Sequence, residues 1–302
     1  MDSNVVLEQV LVLFLVMMVG VYARKQKFID DGMTQRLANL LLNVTMPLMI
    51  IASFHFQFSR DMLLNAVILF AVSMGIHFIS ALLGIVLFYA YPVDVRNILR
   101  FITVFSNCAF MGFPVLESLY GRIGIFYGSI YVISFNLFIW TYGVMLFKGK
   151  NDPKSVKKAL LNPGIIAVAI GMCIFVFSIQ LPYPIFRAMD MVGSMTIPIS
   201  MLIVGALLAQ TDLKSVFSGS TVYYGTAIRL IVLPLASFVT LRQLGVPDII
   251  LGISVLLVAM PAAANTAIFA ETYKGDSHLA SRLVAISTLV SLVTIPLVVF
   301  FL

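Results

Sequence analysis

The apolar stretch 105–114, which reads Phe-Ser-Asn-Cys-Ala-Phe-Met-Gly-Phe-Pro, decides the fold together with its counterpart 260–267, Met-Pro-Ala-Ala-Ala-Asn-Thr-Ala. Each combines a proline, small residues and an asparagine near the centre of an apolar run. Proline removes a hydrogen bond from a helix and clashes with the preceding turn. In lipid the freed backbone groups need other partners, so a break is tolerated where protein or a water-filled cavity covers it. The two stretches therefore predict two broken membrane helices.

The composition around these stretches is typical of a protein embedded in lipid. Of the 302 residues, 61% are hydrophobic and 11% are charged, and the mean hydropathy is +1.06. Soluble domains are about half apolar and about a quarter charged. The composition excludes a soluble globular protein, a disordered chain and a nucleic-acid binder. At roughly 30 residues for each spanning helix and its loop, the length allows about ten spans.

Ten apolar runs are long enough to cross a bilayer, or nearly so with their flanks. Because lipid offers the backbone no hydrogen bonds, each run is predicted to be a helix and the fold to be all-α and polytopic. The run at about 221–244 contains Arg229, and the other nine are free of charge. These nine are 9–23, 37–59, 62–93, 101–116, 123–147, 159–186, 191–211, 249–270 and 283–302.

The lysines and arginines indicate the orientation, because cytoplasmic connections carry an excess of them. Of the 19, four lie on even-numbered connections, Arg229 lies within a span, and the other fourteen lie on odd-numbered connections. The odd connections are therefore predicted to be cytoplasmic, which places both termini outside the cell membrane. The N-terminus lacks the basic start of a signal peptide, so we expect the first span to be retained.

The chain divides into two halves of five spans, 1–147 and 161–302, joined by a basic linker at 148–160. A Thr-x-Pro pattern in span two recurs in span seven at an offset of 151, and a Glu-x-x-x-Gly pattern after span four recurs after span nine at an offset of 154. A repeat with an odd number of spans must be inverted, and inverted repeats are typical of secondary transporters with a site at the midplane. Thr-x-Pro is also a common membrane kink, which leaves chance similarity as the alternative.

The broken helices suggest an anion site without a fixed cation. A half-helix that begins at a break presents unpaired N–H groups and roughly half a positive charge. Asn107 and Asn265 can each donate two further hydrogen bonds through their amides. A carboxylate accepts such bonds well. The alternative for either asparagine is a helix–helix hydrogen bond or a cap of the broken helix.

Two motifs resemble those of the auxin efflux carrier family, which includes plant auxin exporters and bacterial malate or malonate permeases. The fourth-span motif is Ser106-Asn107 through Gly112-Phe113-Pro114, with Glu117-Ser118-Leu119-Tyr120-Gly121. The ninth-span motif is Met260-Pro261 through Asn265, with Glu271-Thr272-Tyr273-Lys274-Gly275 and Leu279-Ala280-Ser281-Arg282. The resemblance covers the whole chain, and the short linker is similar to that of the compact bacterial branch.

The resemblance implies an architecture and a site. The broken helices would cross at Pro114 and Pro261. Spans one, two, six and seven would form a dimerising scaffold, and spans three to five and eight to ten a transport domain that moves as an elevator. It also implies a substrate site in which Asn107 contacts the carboxylate. The candidate residues are Asn107, Cys108, Phe113, Pro114, Pro261, Ala264, Asn265 and Thr266.

Four further polar residues within spans are candidates for a supporting role: Asn43, Thr45, His77 and Arg229. Arg229 could snorkel to the interface, pair with an acid such as Glu271, or attract anions toward an inward vestibule. No Gly-rich phosphate loop, Cys/His metal spacing or hydrolytic triad is present in the sequence. We therefore expect no enzymatic activity, no cofactor and no metal.

Three functions remain open from the sequence alone. The first is a secondary active or facilitative carrier of small organic anions. The second is a symporter or antiporter on a related inverted-repeat fold, coupled to H⁺ or Na⁺. It is disfavoured because the nearest acids, Glu117 and Glu271, lie past the breaks. The third is a membrane receptor that binds an acid without moving it.

Overall fold

A computed structural model describes residues 3–148, 157, 160–210, 219–273 and 275–302, and these residues are almost entirely helical. Most of the predicted linker at 148–160 therefore lies outside the described residues. The helices of the first half are α1 (Ser3–Lys25), α2 (Asp31–Leu40), α3 (Met46–Ser53), α4 (Arg60–Leu87), α5 (Val93–Val104), α6 (Phe113–Phe138) and α7 (Val144–Lys148). Those of the second half are α8 (Pro163–Val176), α9 (Tyr183–Ser194), α10 (Thr196–Gln210), α11 (Ser220–Ala227), α12 (Leu233–Gln243), α13 (Asp248–Ala259), α14 (Asn265–Thr272) and α15 (Ser277–Phe301).

Six helical stretches within the described residues are long and apolar enough to cross a membrane. They are Asp31–Ser53, Arg60–Leu87, Cys108–Lys148, Tyr183–Gln210, Ser220–Gln243 and Ser277–Phe301. Two shorter apolar helices, α8 and α13, have 14 and 12 residues. The chain is thus an all-helical, multi-pass membrane protein, and the count of ten spans stays a prediction.

Wide π-helical turns interrupt several of these stretches, and three of them precede a proline by two residues. The turns Leu41–Thr45, Cys108–Gly112 and Ile228–Val232 are followed by Pro47, Pro114 and Pro234. Proline has no N–H and crowds the carbonyl four residues before it, which in each case lies inside the π turn. The wide turn takes up this mismatch, so the helix continues through the proline.

Helices α1 and α10 pack backbone to backbone through two glycines. A Cβ atom added to Gly20 would lie 2.8 Å from the Cα of Leu202, and one added to Gly205 would lie 2.9 Å from the backbone nitrogen of Val21. Real Cβ contacts are essentially never this short. Small residues at such interfaces let membrane helices approach closely, because packing and not hydrophobic exclusion drives their association.

Helix α6 changes direction sharply at Gly121, where φ is 59° and ψ is −146°. Residues other than glycine rarely adopt this backbone conformation. The kink divides α6 into a first part, which follows the π turn Cys108–Gly112, and a second part, which belongs to the helical stretch that continues to Lys148. The first copy of the Glu-x-x-x-Gly pattern therefore ends in a kink that depends on glycine.

Candidate functional site

The helical structure is interrupted at residues 105–107 and 260–264, and the two interruptions lie against each other. The backbone N–H of Asn107 donates to the carbonyl of Pro261 at 2.7 Å, and that of Ala263 donates to the carbonyl of Phe105 at 3.1 Å. Ser106 and Ala262 form an antiparallel bridge between these bonds. We call residues 105–107 with 260–264 the crossing. This pairing satisfies backbone groups that the two interruptions leave free.

The crossing does not involve Pro114, although the resemblance implied it. Pro114 lies near the start of α6, after the π turn that absorbs its missing N–H, and seven residues beyond Asn107. Pro261 does lie in the crossing and provides its carbonyl to Asn107. The residue of the first interruption that pairs with Ala262 is Ser106.

Four helix ends meet at the crossing. Helices α5 and α13 end there, at Val104 and Ala259. The π turn that continues into α6 begins there at Cys108, and α14 begins there at Asn265. Two carbonyl ends with partial negative charge thus face two N–H ends with partial positive charge.

Arg229 caps both carbonyl ends from inside the protein. Its side chain is 2% exposed and sits in the π turn that links α11 to α12. The guanidinium donates to the carbonyl of Met260 at 3.1 Å and to that of Thr103 at 2.9 Å, and also to the carbonyls of Ile102 and Val258. Among the described residues, none of these hydrogen bonds goes to Glu271, which the sequence offers as a possible ion-pair partner. Arg229 therefore joins the ends of α5 and α13, two elements more than 140 residues apart in sequence.

Ser287 supplies a further bond to the crossing from α15. Its hydroxyl oxygen accepts the backbone N–H of Ala262 at 3.1 Å, and both residues are buried. The serine hydroxyl in turn donates to the carbonyl of Val284. This contact fixes the middle of the second interruption to a continuous helix.

Two cavities border the crossing, with volumes of about 470 Å³ and about 160 Å³. Asn107 and Ala264 line both, which places these two residues between them. Asn265 lines the smaller cavity. Asn107 is 4% exposed, and its side-chain amide has no hydrogen-bond partner among the described residues. Because this amide lies at the surface of both cavities, it is free to bind a ligand or water there.

The other candidate substrate residues lie away from the two cavities. Cys108, Phe113, Pro114 and Thr266 are buried and line neither of them. The Thr266 hydroxyl donates to the carbonyl of Ala263 at 2.6 Å, so it stabilises the start of α14. Of the predicted set, the structure thus brings Asn107, Ala264 and Asn265 to the cavity surface.

The remaining supporting candidates also lie outside both cavities. Asn43 is exposed and donates to the carbonyl of Asn39 within its own helix. Thr45 is buried. His77 is 1% exposed, and its Nδ1 lies 2.7 Å from the carbonyl oxygen of Ser73. Its ring packs against Tyr131 and other aromatic rings of the same core.

The larger cavity has polar lining residues that the sequence analysis did not select: Gln210, Glu271, His278, Ser281, Arg282 and Thr288. Four cavity residues of α15, at 278, 281, 285 and 288, recur every three or four positions and so share one helix face. This stripe of small or polar residues on one face of α15 is the sequence pattern that could have predicted the cavity lining. Within the described residues, no three His, Cys, Asp or Glu side chains are grouped as a metal site would require.

Comparison with known proteins agrees with a transport function. An uncharacterized transporter of Methanocaldococcus jannaschii is 22% identical over 303 residues, which cover 96% of this chain and 97% of that protein. An uncharacterized transporter of Methanothermobacter thermautotrophicus is 25% identical over 196 residues, or 63% of each chain. A Rhizobium meliloti protein named "Putative malonate transporter" is 25% identical over 140 residues, covering 46% of this chain and 43% of that protein.

The family model described as "Membrane transport protein" matches residues 5–299, almost the whole chain. This confirms the resemblance drawn from the motifs of the fourth and ninth spans. The chain therefore belongs to this family of membrane transporters, the auxin efflux carrier family.

Proposed function

We propose that the protein carries small organic anions across the cell membrane, in particular carboxylates such as malate, malonate or auxin-like acids. The observation that carries this proposal is the unpartnered amide of Asn107, buried at the crossing and bordering both cavities. Two helical segments begin beside it, at Cys108 and Asn265, and a helix N-terminus favours an anion through free N–H groups and partial positive charge. Amides and helix ends bind without a fixed cation in contact, which favours release as well as binding.

The proposal includes a transmembrane architecture of ten spans in two inverted halves, with spans four and nine broken at the crossing. The order of helices in the two halves supports it. In each, a long helical stretch, Arg60–Leu87 or Ser220–Gln243, is followed by a half-helix of 12 residues, an interruption and a further helix. The two half-helices, α5 and α13, lead into the two interruptions that pair with each other. Corresponding breaks in two halves are the usual place of a transporter site.

We assign spans one, two, six and seven to a scaffold and spans three to five and eight to ten to a transport domain that moves as an elevator. The glycine contact between α1 and α10 supports a rigid scaffold, because backbone packing this close leaves little room for sliding. A second close contact joins α9 to α3, where a Cβ atom on Gly193 would lie 2.8 Å from the Met49 backbone. Scaffold surfaces of this kind suit a homodimer. Both termini are assigned to the outside from the distribution of basic residues.

The position of the larger cavity favours a state open to the cytoplasm. Its lining includes Gln210 at the end of α10 and His278 and Arg282 near the start of α15. These residues adjoin the seventh and ninth connections, which the basic residues assign to the cytoplasm. Arg122 of α6 donates to Asp190 of α9 at 2.7 Å, and these residues adjoin the fourth and sixth connections, which the basic residues assign to the outside. This ion pair joins the proposed transport domain to the proposed scaffold.

Coupling to H⁺ or Na⁺ is the second candidate, and Glu271 is the residue that favours it. Its carboxylate lines the same cavity as Asn107, so a proton or a cation could share the cavity with the substrate. The acid lies at the far end of α14 from the crossing. Coupling would therefore act through the shared cavity and not through direct exchange at the crossing.

The test is uptake by proteoliposomes of radiolabelled malonate, malate and indole-3-acetate, with and without imposed pH and Na⁺ gradients. We expect saturable uptake that is accelerated by unlabelled acid trapped inside, whereas protein-free liposomes and the neutral analogue malonamide give none. Uptake that depends on an imposed pH or Na⁺ gradient would establish coupling to H⁺ or Na⁺. Binding without flux would indicate the receptor, and neither binding nor flux for any acid would overturn the proposal.

A further inference from the structure

Arg229 is buried at the crossing and lines neither of the two cavities there, so a ligand in either cavity would not contact it directly. Its guanidinium is occupied by the carbonyls of two helix ends. We propose that Arg229 is a positioning residue that gives the crossing its net positive charge, and thereby its preference for anions, without touching the substrate. This inference rests on the proposed anion site, but it concerns a residue that the sequence analysis left undecided.

The sign of the field at the crossing follows from a count of partial charges. Each helix end carries roughly half an elementary charge, negative at the C-terminus and positive at the N-terminus. The ends of α5 and α13 together contribute about one negative charge, and the starts at Cys108 and Asn265 about one positive charge. These four ends cancel, and the guanidinium adds one positive charge. The crossing thus carries about one net positive charge, which is the complement of one carboxylate.

The other charges near the crossing do not change this balance. Glu271 and Arg282 line the larger cavity with opposite formal charges. Among the described residues that line the smaller cavity, none is formally charged. Because Arg229 is shielded from water, its field is weakened less than that of an exposed arginine. Removal of its charge should therefore alter the potential at the cavity surface near Ala264.

The geometry also separates the roles of charge and hydrogen bonding. Arginine presents a planar fork of five donors, which here reaches carbonyls of both half-helices. Lysine would keep the charge but presents a single nitrogen on a flexible stem. Glutamine would keep one donor group and lose the charge. The comparison Arg229→Lys against Arg229→Gln therefore distinguishes an electrostatic role from a purely structural one.

The experiment measures the potential with a cysteine at Ala264, the residue that borders both cavities. Ala264→Cys is introduced into a parent carrying Cys173→Ser, while Cys108 is retained because it is fully buried. The rates of modification by the anionic 2-sulfonatoethyl and the cationic 2-trimethylammonioethyl methanethiosulfonate are then compared. The ratio of the two rates, divided by the same ratio for a small thiol in water, cancels the reactivity of the thiolate and of the reagents and leaves the local electrostatic potential. No substrate is needed.

Relative to a small thiol in water, we expect the cysteine of the parent to favour the anionic reagent. At an effective dielectric constant of about 20, a unit charge about 10 Å away changes each rate on the order of tenfold, in opposite directions for the two reagents. Arg229→Gln should therefore lower the anion-to-cation ratio on the order of a hundredfold, and Arg229→Lys should hold it within about threefold. Arg242→Gln is the matched control, because it removes an exposed arginine that follows in the same helical stretch and lines neither cavity at the crossing.

The outcomes separate this inference from the proposed function. An Arg229→Gln ratio equal to that of the parent would overturn the inference, as would an equal fall in the lysine and glutamine variants. If the glutamine variant does not fold, the lysine variant decides, since a collapse of its ratio contradicts a role based on charge. Failure of the wild-type protein to transport any carboxylate would refute the proposed function and leave the potential measured at Ala264→Cys unaffected.

Discussion

Replacement of the two asparagines at the crossing tests the site directly. Asn107→Ala removes an amide that has no bond to the described protein, whereas the backbone bond from Asn107 to Pro261 remains. The free energy of unfolding should therefore change little, whereas a bound carboxylate should lose at least one hydrogen bond. Asn265→Ala removes a second amide, but one that is partly exposed at the smaller cavity.

The expected magnitudes differ because the two amides differ in burial. A hydrogen bond to a charged group contributes about 1.5–3 kcal/mol, which corresponds to a rise in Kd of roughly 10- to 150-fold for Asn107→Ala. At Asn265 water competes for the amide, so its hydrogen bond should contribute nearer the value of about 0.5–1.5 kcal/mol for an ordinary bond. Asn265→Ala should therefore raise Kd about 2- to 12-fold. Because the two side chains lie near one site, we expect the double variant to depart from additivity.

The assay is equilibrium binding of radiolabelled malonate to purified protein, with initial rates of uptake measured in proteoliposomes. Asn39→Ala is the matched control, since Asn39 is an exposed asparagine of α2 that lines neither cavity. Thermal unfolding in detergent checks that each variant is folded. Binding and uptake by Asn107→Ala at the wild-type level would refute the site, as would an equal loss in Asn39→Ala.

Three further perturbations test the frame around the site. Gly121→Ala should lower the free energy of unfolding by about 1–3 kcal/mol through backbone strain alone, because no atom lies within 4 Å of the added Cβ. Gly75→Ala is the control, since it lies in equally open space within a regular helix and should not lower the free energy of unfolding. Thermal unfolding compares the two variants. Ser287→Ala leaves the buried N–H of Ala262 without its partner and should cost about 1–3 kcal/mol in the same measurement; an unchanged midpoint would contradict this contact. Asp190→Asn weakens the partly exposed ion pair of 2.7 Å between Arg122 of α6 and Asp190 of α9, which contributes up to about 1 kcal/mol. Because this pair joins the two proposed domains, its loss should shift the balance of inward and outward states by up to about fivefold, measured by cysteine accessibility at the larger cavity.

The apolar runs and their interruptions follow from local sequence. Transfer of a segment into lipid depends on its own composition, and each predicted run is helical over most of its described length. The interruptions at 105–107 and 260–264 lie within the two stretches that combine proline, small residues and asparagine. The presence of a proline does not by itself locate a break. Pro114 was expected at the crossing, but it lies near the start of α6, after a π turn, in a helix that continues past it. Whether a proline breaks or only widens a helix depends on the turn that precedes it, and several turns look alike in sequence.

The sequence by itself determined that the protein spans a membrane and that two asparagines accompany two breaks in apolar runs. It also determined the family, through motifs around those breaks. Only the tertiary structure decided that the two breaks pair, that Asn107 is buried whereas Asn265 is partly exposed, and where the cavities lie. It also assigned Arg229 to the carbonyls of two half-helices, 29 to 127 residues away in sequence. The physical reason is that burial in lipid is a property of each segment, whereas hydrogen-bond satisfaction depends on groups that only folding brings together.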